Sequence, residues 1–202
     1  MNAYSGTAAA YLDKLGTMLD ALDREQIDNG IRVIGEAWQA GRQIISLGNG
    51  GSSLTALHFM NDWTKSITMA TGVPFRGRSL VDNMGVIMAY ANDVSFEDVF
   101  AEQLKAVLQE GDLVIAISGS GNSPNVIRAV EYANDHGAVT LGLCGYDGGR
   151  LRQIAQHVVW ADVQDMQLAE DAHFFFGHMV MQKFCGRSEE RRVGKECFLL
   201  CR

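Results

Sequence analysis

Two turns rich in glycine and serine constrain the fold of this 202-residue chain more than any other feature. The first turn is residues 48–53 (GNGGSS) and the second turn is residues 118–123 (SGSGNS). Each turn directly follows a short apolar run and directly precedes a segment with helical spacing. The order strand, turn, helix is typical of parallel α/β folds, in which such turns gather at the carboxyl ends of the strands.

The composition of the two turns suits the binding of a phosphate group. Glycines let the main chain turn sharply and approach a ligand closely, while serine hydroxyls and the free amides of a helix start can hold the anion. Neither turn has the Gly-Lys-Ser/Thr of a nucleotide P-loop or the glycine spacing of a dinucleotide fingerprint. The alternative is an ordinary glycine-rich connection with a serine helix cap.

Strand-like and helical segments alternate along most of the chain. Apolar spacing predicts two helices, or one bent helix, between residues 4 and 40. The strands predicted after them are residues 42–47, 79–81, 113–118, 139–144 and 157–160, and the helices are residues 53–67, 86–91, 97–109, 125–136, 149–155 and 167–184. The alternation predicts an α/β fold with a mostly parallel sheet and helices on both faces.

Composition and charge narrow the classes of protein that this chain can represent. With 47% hydrophobic and 20% charged residues, the chain can bury a sizeable core, and we predict a single domain over residues 1–186. A net charge of −7 argues against nucleic acid as the main partner. No apolar run approaches the roughly 20 residues of a membrane span, and the first residues do not resemble a signal peptide. We therefore expect a cytoplasmic protein without a membrane partner, and we expect its four cysteines to be reduced.

The last residues of the chain differ in character from the rest. Helical periodicity runs up to Gly186 and is lost in residues 187–202 (RSEERRVGKECFLLCR). This string resembles a translated sequencing adapter. We predict that it is a non-native tail and exclude it from the fold.

Histidines and carboxylates in two segments are candidates for chemistry. His58 and Asp62 are four residues apart, so on a helix they share a face and could bind a metal, place an acid beside a base, or form a simple surface contact. The segment 170–178 (EDAHFFFGH) places Glu170 and His178 beside a strongly apolar stretch. Buried charged groups are usually paired with an opposite charge, bound to a metal or part of a functional site. The alternative is a helix start whose acids complement its dipole.

Regular helix geometry limits what Glu170 and His178 can do together. At 1.5 Å per residue they lie about 12 Å apart along the helix axis. They could therefore share an ion only if the helix starts late, if it bends, or if the two residues come from different subunits.

Five stretches carry a resemblance to a known family. They are Gly48-Asn49-Gly50-Gly51-Ser52, Ala91-Asn92-Asp93, the second turn with Asn125-Val126-Ile127, Gly145-Tyr146-Asp147-Gly148-Gly149, and the histidine-bearing last helix. On these motifs, residues 40–184 resemble the sugar isomerase (SIS) domain family, and within it the bacterial phosphoheptose isomerases. The resemblance implies a three-layer αβα sandwich with a mostly parallel, flavodoxin-like sheet, preceded by N-terminal helices.

The resemblance also implies a set of site residues. The substrate-binding residues would be Asn49, Gly50, Ser52, Asn92, Asp93, Ser118, Ser120 and Ser123. The metal ligands would be His58, Asp62, Glu170 and His178, which hold one divalent ion, Zn²⁺, and the catalytic residues would be Asp62, Glu170 and His178. Two positions depart from the family pattern: Asp62 stands where the family has Glu, and Glu170 stands where it has Gln.

The activity implied by the resemblance is an aldose–ketose isomerisation of a phosphorylated sugar. The implied reaction converts sedoheptulose 7-phosphate into D-glycero-D-manno-heptose 7-phosphate through an enediol, in a homodimer or homotetramer with sites at subunit interfaces. One alternative is a non-catalytic relative that binds a phosphosugar, or a partner protein in the way of a replication regulator of this family. Another is a phosphosugar sensor, or an isomerase of N-acetylated hexose phosphates. The joint presence of four ionisable site residues favours the enzyme.

Overall fold

The computed structural model describes the backbone of residues 6–192 and the side chains of residues 6–186. Its helices are α1 (Ala8–Ala21), α2 (Arg24–Gln39), α3 (Gly50–Asp62), α4 (Thr68–Thr71), α5 (Met84–Asp93), α6 (Val99–Val107), α7 (Pro124–Asp135), α8 (Gly149–Ile154) and α9 (Met166–Arg192). Its strands are β1 (Ile44–Gly48), β2 (Gly77–Ser79), β3 (Leu113–Ser118), β4 (Val139–Cys144) and β5 (His157–Trp160). A π-helical turn, Trp63–Ile67, joins α3 to α4.

The five strands form one sheet in the order β2-β1-β3-β4-β5, and every neighbouring pair is parallel. This is the flavodoxin-like strand order. Strands β1 and β3 are buried along their whole length, as expected where helices cover both faces of a parallel sheet. The predicted fold class is confirmed.

Two apolar cores, one on each face of the sheet, make the three layers. On one face Ile44, Ile115 and Ile117 pack with residues of α2, α3, the π-helical turn and α9, among them Ile34, Phe59, Trp63 and Phe176. On the other face Ile45, Leu47 and Val114 pack with residues of α6, α7 and α8, among them Leu104, Val130 and Leu151. Alternate side chains of each strand enter opposite cores because a strand has a side-chain period of two.

The N-terminal segment forms two separate helices, which decides between the two predictions made for it. Asp23 breaks the run between α1 and α2, and its carboxylate caps α2 by accepting hydrogen bonds from the amides of Glu25 and Gln26. Helix α2 packs on β5 and α9, and α1 joins the same face of the molecule through Met18, which contacts the residues around Leu168.

Some predicted boundaries were wrong. The second strand lies at Gly77–Ser79, two residues before its predicted position, because it is a three-residue edge strand paired with β1 on one side. Helix α9 continues past Gly186 to Arg192, so the first residues of the predicted tail extend the last helix. Residues 193–202 lie outside the described residues, and the non-native origin of the tail stays a prediction.

Two further expectations concern membrane spans and cysteines. Among the helices of residues 6–192, none combines the length and the apolar character needed to cross a membrane. Cys144 and Cys185 are buried thiols, and burial raises the pKa of Cys144 to about 12, so that thiol stays protonated and unreactive. Cys197 and Cys201 lie outside the described residues.

Candidate active site

The two turns lie side by side because β1 and β3 are neighbours in the sheet and both end at the same edge. A reciprocal pair of amides holds them together: Asn49 Nδ2 donates to Asn125 Oδ1 at 2.8 Å, and Asn125 Nδ2 donates to Asn49 Oδ1 at 2.9 Å. Asn125 is 1% exposed. The pair therefore fixes the start of α3 relative to the start of α7, a coupling that the sequence pattern did not indicate.

The second turn presents its serines at the start of α7. Ser118 Oγ and Ser123 Oγ lie 3.3 Å apart, and Ser120 Oγ accepts a hydrogen bond from the Asn122 amide at 3.3 Å. Ser123 occupies the N-cap position of α7, yet its hydroxyl meets Ser118 instead of capping the helix. This placement disfavours the alternative of a simple serine cap, because the capping residue does not use its side chain for that purpose.

The second half of the first glycine-serine turn, residues 50–53, forms the N-terminal end of helix α3. Gly50 has φ +53, a left-handed conformation that glycine adopts without strain, and it lets the chain turn from β1 into α3. Ser52 is buried in the first turn of this helix, and Asn49 is the N-cap residue, with its amide directed to Asn125. The first turn thus offers helix amides at the same sheet edge as the serines of the second turn.

His58, Asp62 and His178 converge about two helical turns after the start of α3. His58 Nε2 lies 3.1 Å from Asp62 Oδ2 and 3.3 Å from His178 Nε2, and one ligand atom from each residue lies within 4.8 Å of the others. His58 also stacks on Phe174 at a ring distance of 4.5 Å. We refer to His58, Asp62 and His178 as the histidine cluster.

A close contact between α3 and α9 creates the histidine cluster. A Cβ atom on Gly177 would overlap the ring of Phe59, so glycine is needed at the crossing point. The Gly177 carbonyl also accepts a hydrogen bond from Trp63 Nε1 at 3.0 Å. Because His178 follows Gly177 directly, this crossing sets the distance between the two histidines.

Glu170 lies apart from the histidine cluster. Its carboxylate contacts Gly51 in the first turn of α3, whereas His58 is seven residues further along that helix, about 10 Å along its axis. The structure therefore brings three of the four predicted metal ligands together and places Glu170 beside the first of the two turns, as the length of α9 between Glu170 and His178 required. Its role as a metal ligand stays a prediction.

Asn92 and Asp93 end α5 and are exposed to solvent. Asn92 Nδ2 donates to Asp93 Oδ1 at 2.7 Å. The helix that carries them packs against α6 and the short helical turn before it. Their part in substrate binding stays a prediction.

His173 lies between Glu170 and His178 in the sequence but points into the protein. It is 1% exposed, and within the described part of the chain neither ring nitrogen has a hydrogen-bonding partner of regular geometry. Burial lowers the pKa of His173 to about 4, and the Cys144 backbone opposes that shift only in part. His173 is therefore a neutral core residue.

The low pKa of His173 is expected to make the folded protein less stable in acid. The usual histidine value of 6.5 applies in the unfolded chain, so between pH 6.5 and about pH 4 the unfolded state binds a proton that the folded state excludes. Stability contributed by neutral His173 is complete above pH 6.5 and is lost as the pH falls through this window. We expect His173→Leu to recover roughly 2 kcal/mol of the stability that wild type loses between about pH 7.5 and about pH 5. Urea unfolding at the two pH values measures it, and an equal loss in both proteins would contradict it.

Comparison with known proteins identifies the family. Residues 10–145, more than half of the chain, match the SIS domain. The chain belongs to the SIS domain family. The match includes both turns and the His58–Asp62 pair and ends before α9, so the family assignment does not depend on the second histidine.

Individual relatives of this SIS domain are phosphoheptose isomerases. The phosphoheptose isomerase of Aliarcobacter butzleri is 32% identical over 174 residues, which cover 86% of this chain and 90% of that protein. The phosphoheptose isomerase of Aquifex aeolicus is 32% identical over 168 residues, which cover 81% and 87%. The solved structure of phosphoheptose isomerase from Neisseria gonorrhoeae superimposes with a TM-score of 0.81 at 24% identity over 88% of this chain and 96% of that chain, a likeness of fold.

Proposed function

We propose that this chain is an isomerase that interconverts sedoheptulose 7-phosphate and D-glycero-D-manno-heptose 7-phosphate. The observation that carries the proposal is the arrangement around α3: the helix begins beside two adjacent serine-bearing turns and the Glu170 carboxylate, and it reaches the histidine cluster about two helical turns further on. Relatives that share about a third of their residues with the chain are phosphoheptose isomerases. In this proposal the two turns bind the phosphate end of the sugar, and Asp62, Glu170 and His178 transfer protons at its carbonyl end.

The phosphate of the substrate binds the second turn in this proposal. Ser118, Ser120 and Ser123 present hydroxyl donors there, and the start of α7 adds amides. The first turn, with Asn49, Gly50 and Ser52, contacts the sugar beside the phosphate. Asn92 and Asp93 complete the substrate-binding set.

The reaction needs two proton transfers between neighbouring carbons. A base removes a proton from the carbon beside the ketone carbonyl while an acid protonates the carbonyl oxygen, which gives an enediol. The reverse transfers at the adjacent carbon and oxygen then yield the aldose. Asp62 or Glu170 acts as the base and His178 as its acid partner.

The two candidate bases differ in their surroundings. Asp62 Oδ2 lies 3.1 Å from His58 Nε2. This contact orients the Asp62 carboxylate but also occupies one of its oxygens. Glu170 contacts Gly51 in the first glycine-serine turn. In this proposal the sugar carbons beside the phosphate bind at that turn. The chain therefore supplies one carboxylate at each end of the site, and the shorter reach of Asp62 compared with a glutamate is offset by the additional carboxylate of Glu170.

The donor set of the histidine cluster suits a zinc-like ion. Two imidazole nitrogens and one carboxylate oxygen within 4.8 Å of one another are typical protein ligands of zinc. His58, Asp62 and His178 would hold the ion, and Glu170 would join them only from a second subunit. When bound, a divalent ion polarises sugar oxygens and so favours loss of the adjacent proton.

An exposed apolar surface supports a homodimer or homotetramer. All residues of α5 are at least partly exposed although the helix is strongly apolar. Met84 and Met88 of this helix are 63% and 64% exposed, and Phe96, in the short helical turn that follows, is 58% exposed. Patches of this kind mark interfaces in soluble proteins. Asn92 and Asp93 end the same helix, so a second copy on this surface would place them at a subunit interface.

A non-catalytic phosphosugar-binding protein is the less favoured alternative. Such a protein would use the two turns but would have no need of His58, Asp62, Glu170 and His178 together. The two functions are distinguished by product formation, because a binding protein would hold the heptose phosphate without converting it.

Loss of the serine hydroxyls tests the phosphate position. We expect Ser120→Ala combined with Ser123→Ala to weaken binding of sedoheptulose 7-phosphate by roughly 1.5–3 kcal/mol per lost charged hydrogen bond. Titration calorimetry measures the affinity, and Thr17→Val on α1 provides a control that also removes one hydroxyl. Unchanged affinity in the double variant would exclude the phosphate from this turn.

A further inference from the structure

We propose that residues 145–151 (GYDGGRL), which we call the supporting segment, position the second turn for phosphate, with Asn122 as the linking residue. The proposal rests on the proposed function because it assumes that the second turn binds the phosphate. The sequence motif in this segment has no role in the isomerisation described above. The contacts of this segment in the structure indicate that it positions the second turn.

Backbone hydrogen bonds join the supporting segment to the second turn at two points. The Gly145 amide donates to the Gly119 carbonyl at 2.8 Å, and the Leu151 amide donates to the Gly121 carbonyl at 2.8 Å. These bonds lie on either side of Ser120. They restrict the main chain that carries this serine.

Glycines allow the two loops to touch directly. Gly121 has φ +66, and a Cβ atom there would overlap the Gly148 carbonyl. Gly149 has φ +54, and a Cβ atom there would lie 2.6 Å from the Ser120 carbonyl oxygen. Side chains at either position would therefore push the loops apart.

The side chain of Asn122 connects the two loops. Its Nδ2 donates to the Ser120 carbonyl at 3.0 Å, and its Oδ1 accepts a hydrogen bond from the Arg150 amide at 2.9 Å. One side chain thus bonds both to the residue that carries a phosphate-binding hydroxyl and to the supporting segment. Asn122 is exposed, so these two bonds, and not burial, determine its contribution.

The supporting segment is itself held in an unusual conformation. Tyr146 has φ +49, the one positive φ outside glycine in the described part of the chain, and this conformation is costly for a bulky residue. Two hydrogen bonds maintain it: the Tyr146 amide donates to the Val163 carbonyl at 3.1 Å, and Trp160 Nε1 donates to the Tyr146 carbonyl at 2.9 Å. Trp160 is fixed in turn by the Arg152 guanidinium, 3.5 Å from its ring centre.

A turn that is ordered before binding loses less entropy when the phosphate arrives. The supporting segment therefore acts on affinity for the phosphosugar and has little influence on the proton transfers. Asn122 and Trp160 are positioning residues in this account, since neither needs to touch the substrate. Their loss is expected to appear in Kd and KM with kcat nearly unchanged.

Two variants and one matched control test this role in the full-length protein. Asn122→Ala removes both linking bonds, and Trp160→Phe removes the bond to Tyr146 while keeping an aromatic ring under Arg152. Asn134→Ala is the control, because Asn134 also bridges segments, through Ile154, Thr140 and Gln156, but at the far end of α7. Calorimetry with sedoheptulose 7-phosphate gives Kd, steady-state kinetics give KM and kcat, and melting temperatures report folding.

We expect Asn122→Ala to raise Kd and KM roughly tenfold, and Trp160→Phe to raise them by a smaller factor, with kcat within about twofold of wild type. Asn134→Ala should lower the melting temperature and leave Kd unchanged. If Asn122→Ala and Trp160→Phe keep the wild-type Kd while the double serine variant loses affinity, the positioning role is wrong and the phosphate-binding turn stands. If the double serine variant binds as wild type does, the phosphate position fails and the positioning role fails with it.

Discussion

Asp62→Asn, Glu170→Gln and His178→Ala are each expected to lower kcat for sedoheptulose 7-phosphate by well over the roughly 10²-fold that is typical of losing a general acid or base. These residues supply the candidate base, the second carboxylate and the acid partner, and they stand outside the two apolar cores. The fold should therefore survive each change. Kinetics combined with melting temperatures measures both parts of the expectation.

The control for this series is His173→Leu, which removes a histidine from the same helix. His173 is buried and neutral, away from the reacting groups in this account, so kcat should change far less than in His178→Ala. Full activity in His178→Ala, with folded protein, would show that the histidine cluster has no part in the reaction.

Metal content separates the two roles open to Glu170. His178→Ala and Asp62→Asn should lower the bound metal per subunit after dialysis, because both residues belong to the histidine cluster. Glu170→Ala, which leaves no side-chain ligand atom, should retain the metal if Glu170 acts as the base beside residues 48–53, where its carboxylate lies. A loss of metal in Glu170→Ala would instead make Glu170 a ligand presented by a second subunit.

Gly177→Ala is expected to have the largest effect of any single methyl group added to α9. The new Cβ would overlap the ring of Phe59, which is fully buried where α3 packs against α9 and stacks on Trp63. Overpacking of this kind costs about 1–3 kcal/mol. Turnover should fall further than stability suggests, because moving α9 away from α3 separates His178 from His58.

Gly186→Ala is the matched control on the same helix. A Cβ at Gly186 meets no atom of the described residues within 4 Å, and alanine is the better helix former. Its melting temperature should equal or exceed that of wild type. If Gly177→Ala is as stable and as active as Gly186→Ala, the close crossing of α3 and α9 does not determine the His58–His178 arrangement that activity needs.

The sequence predicted the bounds of three strands well and misplaced the short edge strand β2. The strands β3, β4 and β5 have the predicted bounds because they are continuous apolar runs that end at turn residues. Strand β2 was misplaced because three residues give little pattern to read. The start of α3 at Gly50 was also missed, since two glycines with low helix propensity form its first turn, where Asn125 holds the preceding Asn49.

The candidate site was predictable in its parts but not in its assembly. Spacing of four residues indicated that His58 and Asp62 share a helix face, and the rise per residue indicated that Glu170 and His178 are far apart. The approach of His178 to His58 depends on the crossing at Gly177, a tertiary contact whose sequence signal is one glycine within an aromatic run. The bonds between Asn125 and Asn49 and between Asn122 and the Arg150 amide join residues distant in the chain, and no local pattern encodes them.

The most direct test of the account is to follow sedoheptulose 7-phosphate by NMR during incubation with the full chain, with and without a chelator. We expect an aldose heptose phosphate to form, the chelator to slow its formation, and added Zn²⁺ to restore it. Absence of any aldose product from folded, metal-supplied protein, with the phosphosugar still bound, would contradict the isomerase and leave a phosphosugar-binding protein in its place.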